Sequence, residues 1–125
     1  MPDRDATTLV SLDDAVDWLR KNFDPEAARG VRTVYALELT GAGGGELAAR
    51  VDDGLLELAR GNAPEAELRL RLELGDFCAI LAGRANPEIL LMQDRIGWTG
   101  EISLALKMRR LFRGQNHEPR RRPGA

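Results

Sequence analysis

The sequence predicts an α+β fold in which helices cover one face of a sheet, and three observations indicate it. Residues 68–74 read L-R-L-R-L-E-L, an alternation of leucine with charge that gives a strand one apolar and one polar face. Apolar residues recur at helical spacing near both ends of the chain. Glycine-rich turns separate β-prone segments in the middle. A sheet with one apolar face needs a covering layer, which the helices can supply.

A first helix is predicted after Ser11, which is suited to be its N-cap, and it ends before Pro25. Its apolar residues lie four, three and four positions apart and form one stripe: Leu12, Val16, Leu19 and Phe23. Two aspartates in its first turn suit the positive end of the helix dipole. One face of this helix is therefore expected to pack on the sheet.

The middle of the chain predicts antiparallel strands. Residues 31–40 are rich in β-branched and aromatic side chains, the run G-A-G-G-G interrupts them, and residues 47–51 resume a strand. This glycine run joins two strands and lacks the lysine-serine pair of a phosphate-binding loop, so it is interpreted as a hairpin tip. Asp53-Gly54 is the sharpest turn signal, and residues 55–59 should double back antiparallel.

Four elements are predicted after the alternating strand. Residues 76–82 form a short helix stopped at Gly83, and Asn86 with Pro87 begins a second short helix over residues 88–93. Residues 95–99 form a last strand with Ile96 and Trp98 on one face. Residues 100–112 form the closing helix, with basic residues near its C-terminal end.

Composition excludes several classes of function. The chain has 125 residues, enough for one domain, and its net charge of −2 gives no overall attraction to nucleic acid. Cys78, the one cysteine, follows Phe77 at an apolar position, so we expect a core thiol and no disulfide. His117, the one histidine, falls in a segment without apolar periodicity. Because no nucleophile, base and orienting group can be brought together, the sequence predicts no catalytic residue and no enzyme. With one histidine and one cysteine, a zinc or iron site would need carboxylates almost alone, so no metal is predicted, and no cofactor either.

Three segments are expected: an N-terminal extension at residues 1–10, a folded domain at residues 11–112 and a disordered basic tail at residues 113–125. The tail contains the run of Arg120 to Arg122, which favours a solubilising role; contact with anionic lipid headgroups is the alternative. A cytoplasmic protein is expected, because no apolar run approaches the ~20 residues that span a bilayer and the N-terminus has no apolar signal core.

The segment D-F-C-A-I-L-A-G-R-A-N-P at residues 76–87 resembles the sterol carrier protein 2 family. That family shares an Asp-Phe in a small helix, a glycine, an Asn-Pro that starts the next helix, a methionine and a Gly-Asp after the last strand. The corresponding positions in this chain are Asp76-Phe77, Gly83, Asn86-Pro87, Met92 and Gly100-Glu101. With the hairpin turns and the closing A-L-K-M-x-x-L-F helix, the resemblance extends over residues 12–112.

Two positions depart from the family pattern. Asp94-Arg95 stands where the family has Gly-Lys, so an acidic residue lies near the end of a helix that usually ends on glycine. The C-terminus reads P-G-A and lacks the Ser-Lys-Leu peroxisomal signal carried by some relatives.

The resemblance implies a mostly antiparallel five-stranded sheet whose covering helices surround an apolar tunnel for fatty acyl chains or sterols. The implied function is non-catalytic binding or transfer of such a lipid, with fatty acid, acyl-CoA or a sterol-like molecule as partner. The residues expected at this site are seven apolar side chains and one polar residue that matches a polar family position: Phe77, Leu81, Leu91, Met92, Gln93, Trp98, Ile102 and Leu106.

A structural module of the same fold is the alternative, and it follows from the energetics of an empty cavity. At ~24 cal/mol per Å³, an apolar void of about 400 Å³ would cost ~10 kcal/mol, close to the whole stability of such a domain. The cavity must therefore be filled, wet or collapsed. A chain with a collapsed cavity would instead act as a dimerisation or substrate-presenting module, with a homodimer as its partner state.

Overall fold

The computed structural model describes residues 9–112. The elements are α1 Leu12–Asn22, β1 Arg32–Thr40, β2 Gly45–Asp52, β3 Leu55–Arg60, β4 Leu68–Glu73, α2 Leu74–Leu81, α3 Pro87–Met92, β5 Gly97–Gly100 and α4 Ser103–Leu111. This is the order that the sequence predicts. The basic tail and most of the N-terminal extension lie outside the described residues, so the predicted segment boundaries stay predictions.

The five strands form one sheet in the order β3-β2-β1-β4-β5. Three of the four neighbouring pairs are antiparallel, and β1 pairs with β4 in parallel. The α+β class with a mostly antiparallel five-stranded sheet is confirmed. The parallel pair arises because the chain leaves β3 at one edge and crosses the sheet before β4 begins.

The crossing segment, residues 61–67, covers part of the face opposite the helices. Ala63 and Ala66 pack there against Val34, Ala36 and Ala48, and the three alanines at positions 36, 48 and 63 are buried. The polar face is thus not wholly solvated, because small side chains let the crossing segment lie close to the strands.

Charged side chains of β2 and β4 hold the crossing segment in place. Arg69 donates to the Ala63 carbonyl at 3.1 Å and to Asn62 Oδ1 at 2.8 Å, and Arg50 pairs with Glu65 at 2.7 Å. These arginines belong to the polar strand face predicted from the alternation. Their role is structural, since each bonds a neighbouring loop or strand.

The main core lies between the other sheet face and the helices. Tyr35, Leu37 and Leu39 of β1 point into it, together with Leu68 and Leu72 of β4. Leu74 is also buried, but it begins α2, so the chain passes directly from strand to helix at Glu73. The sequence alternation alone placed Leu74 in the strand.

Candidate functional site

Most of the predicted site residues lie on three consecutive elements, α3, the edge strand β5 and α4. Asn86 caps α3 by accepting hydrogen bonds from the amides of Glu88 and Ile89, and Pro87 occupies the first helical position. This begins the helix as the sequence predicts. Of the six residues of α3, one, Leu90, is buried.

The end of α3 is a Schellman motif built on an aspartate. The Asp94 amide donates to the Leu91 carbonyl at 3.1 Å and the Arg95 amide donates to the Leu90 carbonyl at 2.9 Å. Asp94 therefore has a φ of 61°, the left-handed region that favours glycine. The side chain of Arg95 then bonds both carboxylate oxygens of Asp76, at 3.2 and 2.9 Å, and ties this turn to α2.

Trp98 shows that the helix layer leaves the β5 edge uncovered. In the antiparallel register Trp98 faces Leu70, so both side chains lie on the helix side of the sheet. Leu70 is half-buried against the core, whereas Trp98 is 44% exposed. An indole on the apolar face of a sheet is thus accessible to solvent.

Helix α4 packs with one face on the core. Its inward row is Leu104, Met108 and Leu111, all in contact with the core. The Tyr35 hydroxyl donates a hydrogen bond to the Leu104 carbonyl at 2.9 Å. Just after α4, the ring centroids of Phe112 and Phe23 lie 5.6 Å apart. These contacts fix which face of α4 is turned outward.

The outward row of α4 is also apolar at its start. Ile102 and Leu106 lie four residues apart, and Leu106 is 61% exposed. Arg109, one turn beyond Leu106, pairs with Glu88 of α3 at 3.1 Å, which places this part of α4 near the start of α3. The residue after Glu88 is Ile89, another exposed apolar side chain.

Six exposed apolar side chains therefore come from one stretch of chain, and we call them the apolar surface: Ile89, Leu91, Met92, Trp98, Ile102 and Leu106. Met92 is the most exposed of them, at 82%. Where such side chains form a contiguous patch on a monomer, the patch is often a binding site.

The structure divides the eight residues named from the sequence into two groups. Five of them belong to the apolar surface, and Gln93 lies exposed at the C-cap of α3. Phe77 is buried in the main core, and Leu81 packs against that core half-buried. Ile89 was missed, although the run I-L-L-M on a helix of six residues cannot face the core at every position.

A separate cleft lies at the opposite edge of the sheet, between α1 and the β2–β3 hairpin. Its volume is about 470 Å³, and none of the eight residues lines it. Leu47, Leu58 and Val16 form an apolar floor, and charged side chains of both elements surround it, with Asp13 and Arg60 in an ion pair. The enclosed tunnel that the resemblance implies therefore does not coincide with this cleft.

Two titratable side chains near the core, those of Tyr35 and Cys78, are part of its packing. Burial, and secondarily the Glu67 carboxylate, raises the pKa of Tyr35 far above its ordinary value, so its hydroxyl remains a hydrogen-bond donor. Burial also raises the pKa of the Cys78 thiol, with Asp14 adding to the shift. Between residues 9 and 112, no three His, Cys, Asp or Glu side chains lie close enough to share a metal ion.

Comparison with known proteins shows which family of proteins this chain belongs to. The model of the SCP-2 sterol transfer family matches residues 16–113, and this chain belongs to that family. The match covers the whole sheet, α1 after its first turn, the three later helices and the apolar surface. This fold is generally a non-catalytic lipid-binding one, and membership supports lipid binding or transfer as the general class of function.

Individual relatives are distant in sequence. Hydroxysteroid dehydrogenase-like protein 2 of Xenopus laevis is 22% identical over 90% of this chain, but the match is 27% of that protein. The solution structure of palmitated SCP2L2 from Aedes aegypti superposes with a TM-score of 0.65 at 22% identity, over 83% of this chain and 96% of that one. The chain thus spans about a quarter of the curated relative and nearly all of the mosquito protein.

A further neighbour is a domain of a larger enzyme. The inverting sec-alkylsulfatase Pisa1 from Pseudomonas sp. superposes with a TM-score of 0.72 at 18% identity, over 80% of this chain and 16% of the enzyme. These superpositions show the shared fold. In the described part of the chain, no helix has the length and apolar character needed to cross a membrane.

Proposed function

We propose that this domain binds and transfers an apolar lipid, a fatty acyl chain or a sterol-like molecule, without catalysing a reaction on it. The observation that carries the proposal is the apolar surface, above all Trp98, which lies on the helix side of the sheet and is open to solvent. The palmitated form of the similar mosquito protein supports an acyl chain as one ligand class.

The driving force is the transfer of methylene groups out of water. Each buried CH₂ contributes ~0.8 kcal/mol, so a twelve-carbon chain contributes ~10 kcal/mol before the costs of immobilisation are subtracted. Leu91, Met92 and Leu106 offer flexible aliphatic contacts, and Trp98 offers a flat one. Gln93, exposed at the end of α3, supplies amide groups that can bond a polar headgroup.

A deeper site opens if the start of α4 moves away from the sheet. The described contacts of that part of α4 with the core are the Tyr35 hydrogen bond and the partly buried Leu104 and Ala105. Its C-terminal end is held more firmly, by the fully buried Leu111. The role predicted for Phe77 and Leu81, contact with the acyl chain, requires that an outward tilt about that end also uncover α2, where Phe77 is buried in the core and Leu81 packs against it half-buried.

Titration with a series of saturated fatty acids tests the proposal. In a Trp18→Phe background Trp98 is the remaining tryptophan, and its emission should shift to the blue on binding, with affinity rising as the chain lengthens. Leu91→Ser should weaken binding about tenfold, whereas Leu55→Ser, at a still more exposed leucine of β3 on the opposite edge of the sheet, should leave it unchanged. Absence of saturable binding at every chain length would contradict the proposal.

The second candidate is a dimerisation or substrate-presenting module with a closed cavity. It is favoured by the fact that two relatives carry this fold as 27% and 16% of a longer chain. This candidate predicts no lipid binding and a mass in solution that rises with protein concentration. Light scattering of the wild type and of Leu91→Ser, which removes apolar area from the surface, separates it from the carrier.

A further inference from the structure

We infer that the outward side of α4 is a docking surface for anionic membranes, through which lipid enters and leaves. The inference deepens the proposed function and rests on it for its purpose, but its own evidence is the distribution of charge and apolar side chains around α4.

Positive charge is concentrated at this end of the chain. From Ser103 to the C-terminus the sequence has seven lysines and arginines and one acidic residue, whereas residues 1–102 have eleven basic and nineteen acidic residues. A chain with a net charge of −2 thus divides into a strongly acidic part and a strongly basic one. Such asymmetry is typical of proteins that approach an anionic surface in one orientation.

Helix α4 combines this charge with exposed apolar residues. Its outward row runs Ile102, Leu106 and Arg110 at spacings of four, and the helix contains no acidic residue. Lys107 lies beside this row, as does Arg109, whose charge is paired with Glu88 of α3. The inward row already packs on the core, so the outward row has apolar residues at one end and cations at the other. Apolar side chains and cations on one exposed face suit contact with an anionic membrane interface.

Helix α1 differs from α4 in charge, although its C-terminal end adjoins that of α4 through the hydrogen bond from the Asp24 amide to the Leu111 carbonyl. The first half of α1 carries Asp13 and Asp17 exposed and Asp14 partly buried, whereas its last turn is basic. An anionic surface would repel the start of α1 and attract α4. The molecule would therefore approach with α4 forward, placing Trp98 and Met92 of the apolar surface against the headgroups, where tryptophan is favoured.

The apolar residues favour a membrane over nucleic acid as the occupant. A nucleic-acid surface is met by arginines and aromatic side chains that stack on bases, and it gains nothing from Ile102 or Leu106. A membrane interface gains from both the cations and the aliphatic side chains. Each Lys or Arg near such a surface contributes about fivefold to binding, the equivalent of ~1 kcal/mol.

Vesicle flotation of the full chain tests the inference, with phosphatidylcholine vesicles that contain or lack phosphatidylserine. The wild type should float with the anionic vesicles at low salt, be released at high salt, and stay below neutral vesicles. Arg110→Glu should reduce flotation at least tenfold, whereas Arg29→Glu, at an exposed arginine of the α1–β1 loop, should not. Leu106→Glu should also reduce it, and Leu55→Glu should leave it within twofold of the wild type.

Fatty-acid binding of the same variants in free solution separates this inference from the proposed function. Arg110→Glu should bind fatty acid like the wild type, because Arg110 is not part of the proposed lipid site. Flotation without any fatty-acid binding would overturn the proposed function alone. Three results would overturn the proposed membrane-docking surface. The Arg110→Glu and Arg29→Glu variants could float equally well, or the wild type could float equally well with neutral vesicles. The Leu106→Glu variant could lose a dimer and keep its flotation.

Discussion

Asp94 occupies a backbone position that suits glycine better. Its φ of 61° lies in the left-handed region, as does the φ of 81° of Gly83, which ends α2 through the same motif. A residue with a Cβ loses free energy in this region, less for aspartate than for most others. The family departure noted at this position in the sequence is therefore a local strain in the structure.

Replacing Asp94 by glycine should relieve that strain. We expect Asp94→Gly to raise the free energy of unfolding by about 0.5–1 kcal/mol, measured by urea denaturation. Gln93→Gly is the matched control, because Gln93 has a φ of −90° and gains nothing from glycine. If both variants were destabilised alike, the left-handed conformation at Asp94 would not be the source of strain.

Gly100 is required by space as well as by backbone conformation. Its φ is 102°, and an added Cβ would lie 2.2 Å from the Glu67 carbonyl oxygen. That oxygen accepts a hydrogen bond from the Glu101 amide at 2.8 Å, so it cannot move away freely. The glycine that the family resemblance singled out thus permits β5 to end close against the start of β4.

Alanine substitutions at two glycines separate the cost of steric overlap from the cost of a positive φ. Gly100→Ala should lower the free energy of unfolding by at least about 2 kcal/mol, because strain and overlap add. Gly83→Ala should cost about 1 kcal/mol, since its φ is also positive but nothing lies within 4 Å of the added Cβ. Equal losses in thermal or urea unfolding would show that the overlap is relieved by a small backbone shift.

Helix α1 begins with a complete capping box. Ser11 Oγ accepts from the Asp14 amide at 3.0 Å, and Asp14 Oδ2 accepts from the amides of Ser11 and Val10, also at 3.0 Å. The hydrogen bonds from the Val10 and Ser11 amides hold the pKa of Asp14 below its ordinary value. The sequence predicted the cap at Ser11, and the reciprocal half of the box follows from the aspartate at the third helical position.

This helix start should make stability depend on pH. Because the folded pKa of Asp14 lies below the unfolded value near 4, its contribution is present at neutral pH and is lost as pH falls through the folded pKa. Asp14→Asn should therefore lower the melting temperature at pH 7, and the difference from the wild type should shrink below pH 4. Asp17→Asn, on the same helix outside the box, is the control for the loss of one negative charge from α1.

Helix α4 shows how far an element can be predicted and where prediction stops. The spacing of its apolar residues and the basic residues near its end predicted a helix, and the structure has one at Ser103–Leu111. Leu106 was assigned to a lipid pocket between sheet and helices, whereas it lies in the outward row. Seven apolar residues over a broad arc do not reveal which of them meets the sheet, because that depends on how the helix is rotated.

We expect the packed core to protect the Cys78 thiol from reaction with reagents in solution. Its thiol is buried on α2, and burial raises its pKa, so the reactive thiolate is scarce while the chain is folded. We expect Ellman's reagent to react at least about 10³-fold more slowly with the native protein than with the chain in denaturant. A native rate within tenfold of the denatured one would mean that α2 opens locally, without global unfolding.

Periodicity, caps and turns are local properties, and they determined most of the secondary structure. The alternation in β4, the Asn86-Pro87 helix start and the Asp53-Gly54 hairpin each depend on residues a few positions apart, so they can be identified without knowing their neighbours in space. They also supplied the family resemblance, since its motifs are these same caps and turns. The general fold class followed from the order of the elements.

Tertiary structure alone decided which apolar residues remained outside the core. The parallel pairing of β1 with β4 sends residues 61–67 across the polar face and buries a small alanine cluster there, which no local pattern indicated. Trp98 and Leu106 have the composition of core residues, yet the helix layer ends before it reaches β5, and they stay exposed. Burial depends on what covers a side chain, and the covering elements come from distant parts of the sequence.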